Sequence, residues 1–196
     1  DLIKFTGVNP EKITVTLESA DELPKGNEPV DELIGKKFIM YIGRPTPHKN
    51  LRRLIDAFAL LQKKYPDLTL ALAGKKDSNY ARHETYVNER GIKNVVFTGF
   101  ISDEQLRWMY ENTAVYCFPS LSEGFGLPGL EAMLHGAPVA SSTATCLPET
   151  HGDAAHYFDP FSVEDIAKSI DDILSDDKLR NELVKKGKKH VKTFSW

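Results

Sequence analysis

Short apolar runs alternate along this chain with longer segments in which apolar residues return every three or four positions. The runs match buried strands, which are apolar without interruption when both faces are covered, and the longer segments match amphipathic helices. The predicted strands lie at 38–42, 68–73, 95–97, 114–118, 138–140 and 155–158. The predicted helices occupy 51–65, 80–90, 102–111, 128–135, 163–174 and 177–193.

This alternation predicts a single α/β domain, a Rossmann-like doubly wound parallel sheet with helices on both faces. In open sheets of this kind, ligands bind outside the carboxyl ends of the strands. We therefore expect one crevice to be lined by the loops that begin at Gly43, Gly74, Thr98, Pro119 and Ser141.

The N-terminal part of the chain lacks this regular pattern. Ile13 to Leu17 alternates apolar residues with threonine, which predicts one further strand. Residues 18–37 are rich in proline, glycine and charge and form a loop too long for the inside of a compact domain. We therefore divide the chain into an N-terminal segment with an inter-domain connection, 1–36, and one domain, 37–196.

Charge and hydropathy narrow the functional classes. The 196 residues carry a formal net charge of −3, which argues against nucleic acid as a partner, because binding a phosphate backbone needs a basic surface. No apolar run approaches the ~20 residues that cross a bilayer. The first residues, Asp1 to Lys4, lack the layout of a signal peptide. We expect a cytoplasmic protein.

The clearest chemical feature is the joint between the strand at 114–118 and the helix at 128–135. Gly124 and Gly126 leave no Cβ in the way, so a ligand can approach main-chain N–H groups there. Pro128 suits the first helical position. Because a helix start has unpaired N–H groups and a positive dipole end, this joint predicts a seat for an anion, most often phosphate.

Two carboxylates, Glu123 and Glu131, flank this turn eight residues apart. That separation, across a loop and a helical turn, does not suit a paired general acid and base. It suits side chains that hold opposite ends of one elongated ligand by its hydroxyls. The alternative is that the two carboxylates serve only the helix N-terminus, whose positive dipole end favours acidic residues in and near the first turn. Spacing alone leaves both interpretations open.

Two cations follow the strand at 38–42 on another of the expected crevice loops. Arg44 and Lys49 leave room between them for a diphosphate, which arginine binds through its planar fork and lysine as a point charge. Most cationic side chains on proteins are simply solvated. The position of this pair on the same rim as the glycine turn favours phosphate binding.

Other ligand-binding motifs are missing or out of place. Neither a Walker motif nor a Gly-x-Ser-x-Gly elbow occurs. The pattern Gly124-x-Gly126-x-x-Gly129 comes late in the chain and contains Pro128, which disfavours a dinucleotide oxidoreductase. No histidine has a partner at metal-ligand spacing, and we predict no metal site.

These residues together resemble a known family. The stretch 123–133, preceded by Pro119-Ser120 and followed by Gly136-Ala-Pro-Val, closely resembles the carboxylate-x7-carboxylate signature of group 1 glycosyltransferases. These are retaining enzymes of the family-four type with the two-domain GT-B fold. Residues 43–50, 96–100 and 147–155 resemble the family's phosphate-binding pair, nucleobase loop and next landmark, in the same order. The likeness runs from about Ile39 to the end of the sequence.

The resemblance implies a nucleotide-diphospho-sugar held in this domain, with no cofactor and no metal. Arg44 and Lys49 would neutralise the diphosphate as the glycosidic bond breaks, and Glu123 would contact the sugar hydroxyls. These three are the implied catalytic residues. Glu131 would hold the ribose diol, and residues 98–100 would present backbone groups to the base. The implied donor-binding residues are Gly43, Thr98, Gly99, Phe100, Phe125, Gly126, Leu127 and Glu131.

The resemblance also implies a missing partner domain. The family holds its donor between two Rossmann-like domains, and this chain matches only the C-terminal, donor-binding half. We expect the acceptor, a glycan or a lipid-linked molecule at a membrane surface, to bind an N-terminal domain. The isolated chain should then bind donor weakly and transfer little. The loop Gly-Phe-Gly-Leu-Pro favours a mannosyltransferase, with GDP-mannose as donor ahead of a UDP-hexose.

Two alternatives stay open. A non-catalytic nucleotide-binding module of the same fold would be expected to have lost site residues, whereas Arg44, Lys49, Glu123 and Glu131 are all present. A phosphorylase-like enzyme shares the fold but needs a lysine carrying pyridoxal phosphate in a different context. The absorbance of that cofactor would reveal it.

Overall fold

Six parallel strands form one sheet. They are β1 Phe38–Ile42, β2 Thr69–Ala73, β3 Val95–Gly99, β4 Val115–Phe118, β5 Val139–Ser142 and β6 Ala155–Phe158, in the order β3-β2-β1-β4-β5-β6. The computed structural model describes residues 2–26 and 28–195. Every strand predicted within 37–196 is present, and the Rossmann-like doubly wound fold predicted from the sequence is confirmed.

Helices connect the strands and cover the sheet. They are α1 Leu2–Thr6, α2 Leu51–Leu61, α3 Ser78–Glu89, α4 Asp103–Asn112, α5 Leu127–Leu134, α6 Leu147–His151, α7 Val163–Ser175 and α8 Asp177–His190. The start of α4 has a capping box, since Ser102 and Gln105 each bond the other's main-chain N–H. Two short helices, α1 and α6, were not predicted. The prediction of a loop over 141–149 is wrong from Leu147 onward, where Pro148 sits in the first turn of α6.

The two faces of the sheet bury separate apolar clusters, because side chains alternate along a strand. Ile39 and Tyr41 of β1 belong to the cluster covered by α2, α3 and α7, whereas Phe38 and Met40 belong to the cluster covered by α4 and α5. Burial on both sides explains why β1 is apolar without interruption.

The connections change direction between β1 and β4. From β1 the chain moves outward to β2 and β3, and it returns across the sheet to pair β4 with the other side of β1, with Ile39 opposite Val115. Ligands of doubly wound sheets bind in the crevice at such a switch point. The loops after β1 and β4 contain the predicted cations and the glycine turn, so the topology places both beside this crevice.

The strand predicted at 13–17 is wrong. No strand forms anywhere in 2–26, and Val15 is 79% exposed. Alternating threonine gives local strand propensity, but a strand is stable only when a neighbour pairs with it. Further along the same segment, Val30 and Leu33 are buried in the cluster beneath α4, so 28–36 packs against the domain.

Candidate functional site

Hydrogen bonds join the loop after β1 to the loop after β4. The Leu121 N–H donates to the His48 carbonyl at 2.7 Å. The buried Asn50 side chain donates to the Pro119 carbonyl at 3.0 Å and to the Pro160 carbonyl, after β6, at 2.8 Å. The ends of β1, β4 and β6 therefore form one connected rim.

The same two loops bring a predicted cation and a predicted carboxylate into contact. Lys49 Nζ lies 2.6 Å from Glu123 Oε1, and both side chains are mostly buried, at 21% and 12% exposure. Arg44 lies on the Lys49 loop with its side chain exposed, and it forms no ion pair within the described residues. The structure therefore joins Lys49 to Glu123 directly, whereas Arg44 shares only their rim.

The main chain of Glu123 is bound to the loop after β5. The Thr145 hydroxyl accepts the Glu123 N–H at 3.0 Å and lies 3.2 Å from the Glu123 carbonyl, to which it donates. The Cys146 thiol donates to that carbonyl at 3.3 Å. Thr145 has a φ of 51°, which is unfavourable for a β-branched residue. A strained backbone conformation persists only where the surrounding structure enforces it. The contacts of Thr145 and Cys146 with the Glu123 main chain therefore hold the two loops in fixed positions.

The glycine turn leads directly into α5. Gly126 precedes the helix with a φ of 103°, a conformation that favours glycine, and no side chain among the described residues caps the helix N-terminus. Gly129, in the first turn of α5, packs so closely against the His151 imidazole that a Cβ there would collide with it. The start of α5 is therefore tightly packed, while its first N–H groups have no capping side chain among the described residues.

The buried His151 side chain packs against this turn. Burial lowers the pKa of His151 to about 4, so its ring is neutral at physiological pH. Nε2 lies 3.3 Å from the Gly126 carbonyl, which can only accept, so Nε2 carries the proton. Nδ1 then accepts from the Ser141 hydroxyl at 3.1 Å. His151 is thus a structural histidine that orients the turn.

Glu131 lies on α5 in a different environment. Its Oε2 accepts a hydrogen bond from the Tyr110 hydroxyl at 3.2 Å. Burial raises the pKa of Glu131, while the Tyr110 hydrogen bond lowers it. Burial raises the pKa of Tyr116 well above its usual range, and the charges of Glu131 and Glu123 are among those that raise it further.

The predicted nucleobase residues lie at the edge of the sheet. The Gly43 N–H donates to the Ala73 carbonyl at 3.0 Å and the Gly74 N–H to the Gly99 carbonyl at 3.1 Å, so a hydrogen-bonded rim runs from β1 to β3. Phe100, next on this rim, is 85% exposed. Thr98 and Gly99 therefore lie two strands away from β1, on the same side of the crevice as the Arg44 loop.

Phe125 and the residues after it line a cleft of about 450 Å³ between the glycine turn and the N-terminal segment. Residues 123–128 form one wall and residues 16–18 the other. The side chain of Phe125 packs edge-on against Phe194, at 5.8 Å between ring centres, and is half-buried. A larger cleft, of about 710 Å³, lies against α8, and none of the predicted site residues lines it.

Four residues that hold this site together were not predicted as part of it. They are Asn50, Tyr110, Thr145 and His151. Each acts through a partner at least 18 residues away in sequence, as in the Tyr110 bond to Pro128, and sequence patterns report only near neighbours. Asn50, which follows Lys49 directly, had the one local signal, since a buried asparagine ahead of a helix usually binds main chain.

Two further properties of the described residues bear on function. Nowhere in 2–26 and 28–195 do three histidine, cysteine or carboxylate side chains lie close enough together to hold a metal ion. In the same residues, no helix is both long enough and apolar enough to cross a membrane.

A comparison with protein-family models assigns the chain to one family. The model of the family described as "Glycosyl transferases group 1" matches residues 26–190. The chain belongs to this family. The match includes the Arg44 loop, the glycine turn and Glu131, and the predicted resemblance of the chain to group 1 glycosyltransferases is confirmed.

Relatives and solved structures agree with this assignment. This group 1 domain is 36% identical over 171 residues to the O-antigen chain mannosyltransferase B of Escherichia coli, across 84% of this chain and 44% of that protein. It superimposes on sucrose-phosphate synthase from Thermosynechococcus elongatus with a TM-score of 0.74 and 29% identity, covering 82% of this chain and 41% of the other. It also matches the C-terminal domain of the group 1 glycosyl transferase LpcC from Francisella tularensis, with a TM-score of 0.72 and 31% identity, covering 83% and 88%. The chain spans less than half of the mannosyltransferase.

Proposed function

We propose that this chain is the donor-binding domain of a retaining hexosyltransferase, with mannose as the leading sugar and a glycan or lipid-linked molecule as acceptor. The observation that carries the proposal is the 2.6 Å contact between Lys49 and Glu123 at the switch point of the sheet. A group that can neutralise a departing diphosphate lies there beside a group that can bind sugar hydroxyls.

The chemistry follows from the charges. When the glycosidic bond of a nucleotide-sugar breaks, negative charge grows on the diphosphate and positive charge on the sugar. Lys49 and Arg44 offset the negative charge on the diphosphate. The N–H groups at the start of α5, which no described side chain caps, add to this stabilisation. Glu123 binds the sugar hydroxyls. Because Glu123 is paired with Lys49 and fixed by its main chain, we assign it a binding role and leave attack to the acceptor, assisted by the leaving phosphate.

The remaining ligand assignments follow the same rim. Glu131 holds the ribose diol, and the backbone of residues 98–100 contacts the base. Mannose is favoured by the similarity to a mannosyltransferase and by the loop Gly124-Phe125-Gly126-Leu127-Pro128. Since the chain spans 44% of that relative, the transferase activity belongs to a longer protein in which a second domain binds the acceptor. A non-catalytic module is disfavoured by the presence of both cations and both carboxylates.

Calorimetric titration tests the proposal. The chain is titrated with GDP, UDP and ADP and with their hexose conjugates, and GDP-mannose is expected to bind most tightly. Lys49→Ala and Arg44→Ala should each weaken binding by about 1.5–3 kcal/mol, the range for a hydrogen bond to a charged group. Lys63→Ala, exposed just beyond α2, is the matched control. Unchanged affinity in both site variants would contradict the phosphate role.

A further inference from the structure

Two buried tyrosines lie side by side beneath the start of α5. Tyr110 on α4 and Tyr116 on β4 are both fully buried, and their rings meet edge to face at 5.6 Å between centres. Their hydroxyls differ. That of Tyr110 lies 3.2 Å from Glu131 Oε2 and 3.3 Å from the Pro128 carbonyl. That of Tyr116 has no hydrogen-bond partner in the described part of the chain.

The Tyr110 ring has little freedom to move. Tyr116 packs against it on one side, and the His135 ring stacks on it nearly parallel, at 6.0 Å between centres. The Pro128 carbonyl and the Glu131 carboxylate compete for the single hydroxyl hydrogen of Tyr110. The charged carboxylate gives the stronger hydrogen bond. Tyr110 is therefore a fixed donor aimed at Glu131.

The other carboxylate oxygen of Glu131 is left available. Oε1 accepts no hydrogen bond from the described residues, yet it is not among the fully buried atoms that lack a partner, so it still reaches solvent. We infer that Tyr110 is a positioning residue for Glu131, holding Oε2 so that Oε1 can accept hydrogen bonds from the ribose diol of a nucleotide. This inference rests on the proposed function, which assigns the ribose to Glu131.

The surrounding charges make this hydrogen bond matter for binding. Among the described residues, Tyr110 and Asp103 of α4 act on the charge of Glu131, and Glu131 in turn acts on Tyr116 of β4. Burial and the Asp103 charge raise the pKa of Glu131, and the Tyr110 hydrogen bond lowers it. A protonated carboxyl is a poor acceptor for a diol. Without the Tyr110 hydroxyl, Glu131 would become protonated at a higher pH. Below that pH the ribose diol would lose its hydrogen-bond acceptor.

The pair Tyr110→Phe and Tyr116→Phe tests the inference, because each variant removes one buried hydroxyl and keeps the ring. Affinity for GDP and UDP is measured by calorimetry from acidic to neutral pH, and the Glu131 carboxyl is titrated by carbon-13 NMR in the free chain. Tyr110→Phe should raise the pH at which Glu131 titrates and weaken nucleotide binding about tenfold on the acidic side. Tyr116→Phe should change neither, and thermal unfolding shows whether both variants fold.

The 2′,3′-dideoxy forms of the same nucleotides provide the second comparison. Because these nucleotides lack the diol, Tyr110→Phe should weaken their binding no more than Tyr116→Phe does. An unchanged Glu131 titration in Tyr110→Phe, or equal shifts in both variants, would overturn the inference.

Glu131→Gln separates a failure of the inference from a failure of the proposed function. If this variant weakens ribose-containing nucleotides selectively while Tyr110→Phe has no effect, only the positioning role is wrong. If it weakens the dideoxy forms equally, the ribose role of Glu131 is wrong and the inference is overturned with it.

Discussion

Glu123 and Glu131 are the same residue type eight positions apart, and the structure gives them opposite surroundings. Glu123 lies on a loop, its backbone bound by Thr145 and its carboxylate paired with Lys49 at 2.6 Å. Glu131 lies on α5, where a neutral tyrosine is its hydrogen-bond partner and burial opposes its charge.

The contrast shows that the two glutamates of one signature are held in place by different physical means. At Glu123 a cation balances the negative charge, so the proposed diphosphate would have to compete with Glu123 for Lys49. At Glu131 no cation within the described residues lies in ion-pair contact, and burial raises the pKa of the carboxyl while the Tyr110 hydrogen bond opposes that rise. The spacing of the two glutamates in sequence reveals none of this.

The largest expected effect comes from disturbing the packing beneath the Glu131 helix. In Gly129→Ala the new Cβ would collide with the buried His151 ring, and overpacking of this kind costs about 1–3 kcal/mol. Gly124→Ala, where a Cβ would meet nothing within 4 Å, should be nearly neutral. Urea unfolding measures both. Equal stability of the two variants would show that the Glu131 side is no more tightly packed than the loop.

The backbone contacts of Glu123 can be tested next. Thr145→Val removes the hydroxyl that bonds the Glu123 N–H and carbonyl, and it should weaken GDP-mannose binding by about 1 kcal/mol. GDP alone should be affected less, since Glu123 is proposed to face the sugar. Thr145→Ser keeps the hydroxyl and is the control. Equal losses for GDP and GDP-mannose would argue against a sugar-specific role of this contact.

A double-mutant cycle measures the ion pair on the Glu123 side. Lys49→Met combined with Glu123→Gln should show a coupling of about 0.5–1 kcal/mol in the free energy of unfolding, and added salt should reduce it. The parallel cycle of Lys49→Met with Glu131→Gln should show no coupling. A coupling of similar size in both cycles would mean that Lys49 serves both carboxylates.

The smallest effect is a dependence of stability on pH. Because burial raises the pKa of Glu131 above its unfolded value, the folded state binds the proton more tightly, and stability falls as pH rises through that window. Glu131→Gln should therefore be more stable than the parent chain at neutral pH. This gain should vanish at pH values below the usual pKa range of glutamic acid, where both states are protonated.

Glu123→Gln is the comparison for that experiment. It loses the contact with Lys49, so it should not gain stability at neutral pH. Thermal unfolding of both variants across the pH range separates the two cases, and a gain of similar size in both would remove the contrast between the carboxylates.

Much of the fold was predictable because its signals are local. The strands from β1 to β6 are short apolar runs bounded by glycine or proline, and the start of α4 has its capping residues in sequence. The strand predicted at 13–17 failed for the opposite reason, since local alternation cannot supply a neighbour for pairing. Helix α6 was missed because it is five residues long and has no clear period.

The amino-acid sequence determined the sheet, the glycine turn at the end of β4 and the presence of two cations and two carboxylates on the crevice loops and the helix α5 that follows one of them, because each depends on residues close together in the chain. The tertiary structure alone decided that Lys49 meets Glu123 across 74 positions, that Thr145 holds its backbone and that Tyr110 reaches Glu131. Those contacts form only when the ends of distant strands are brought to one edge of the sheet, and hydrogen bonds and ion pairs act over a few ångströms.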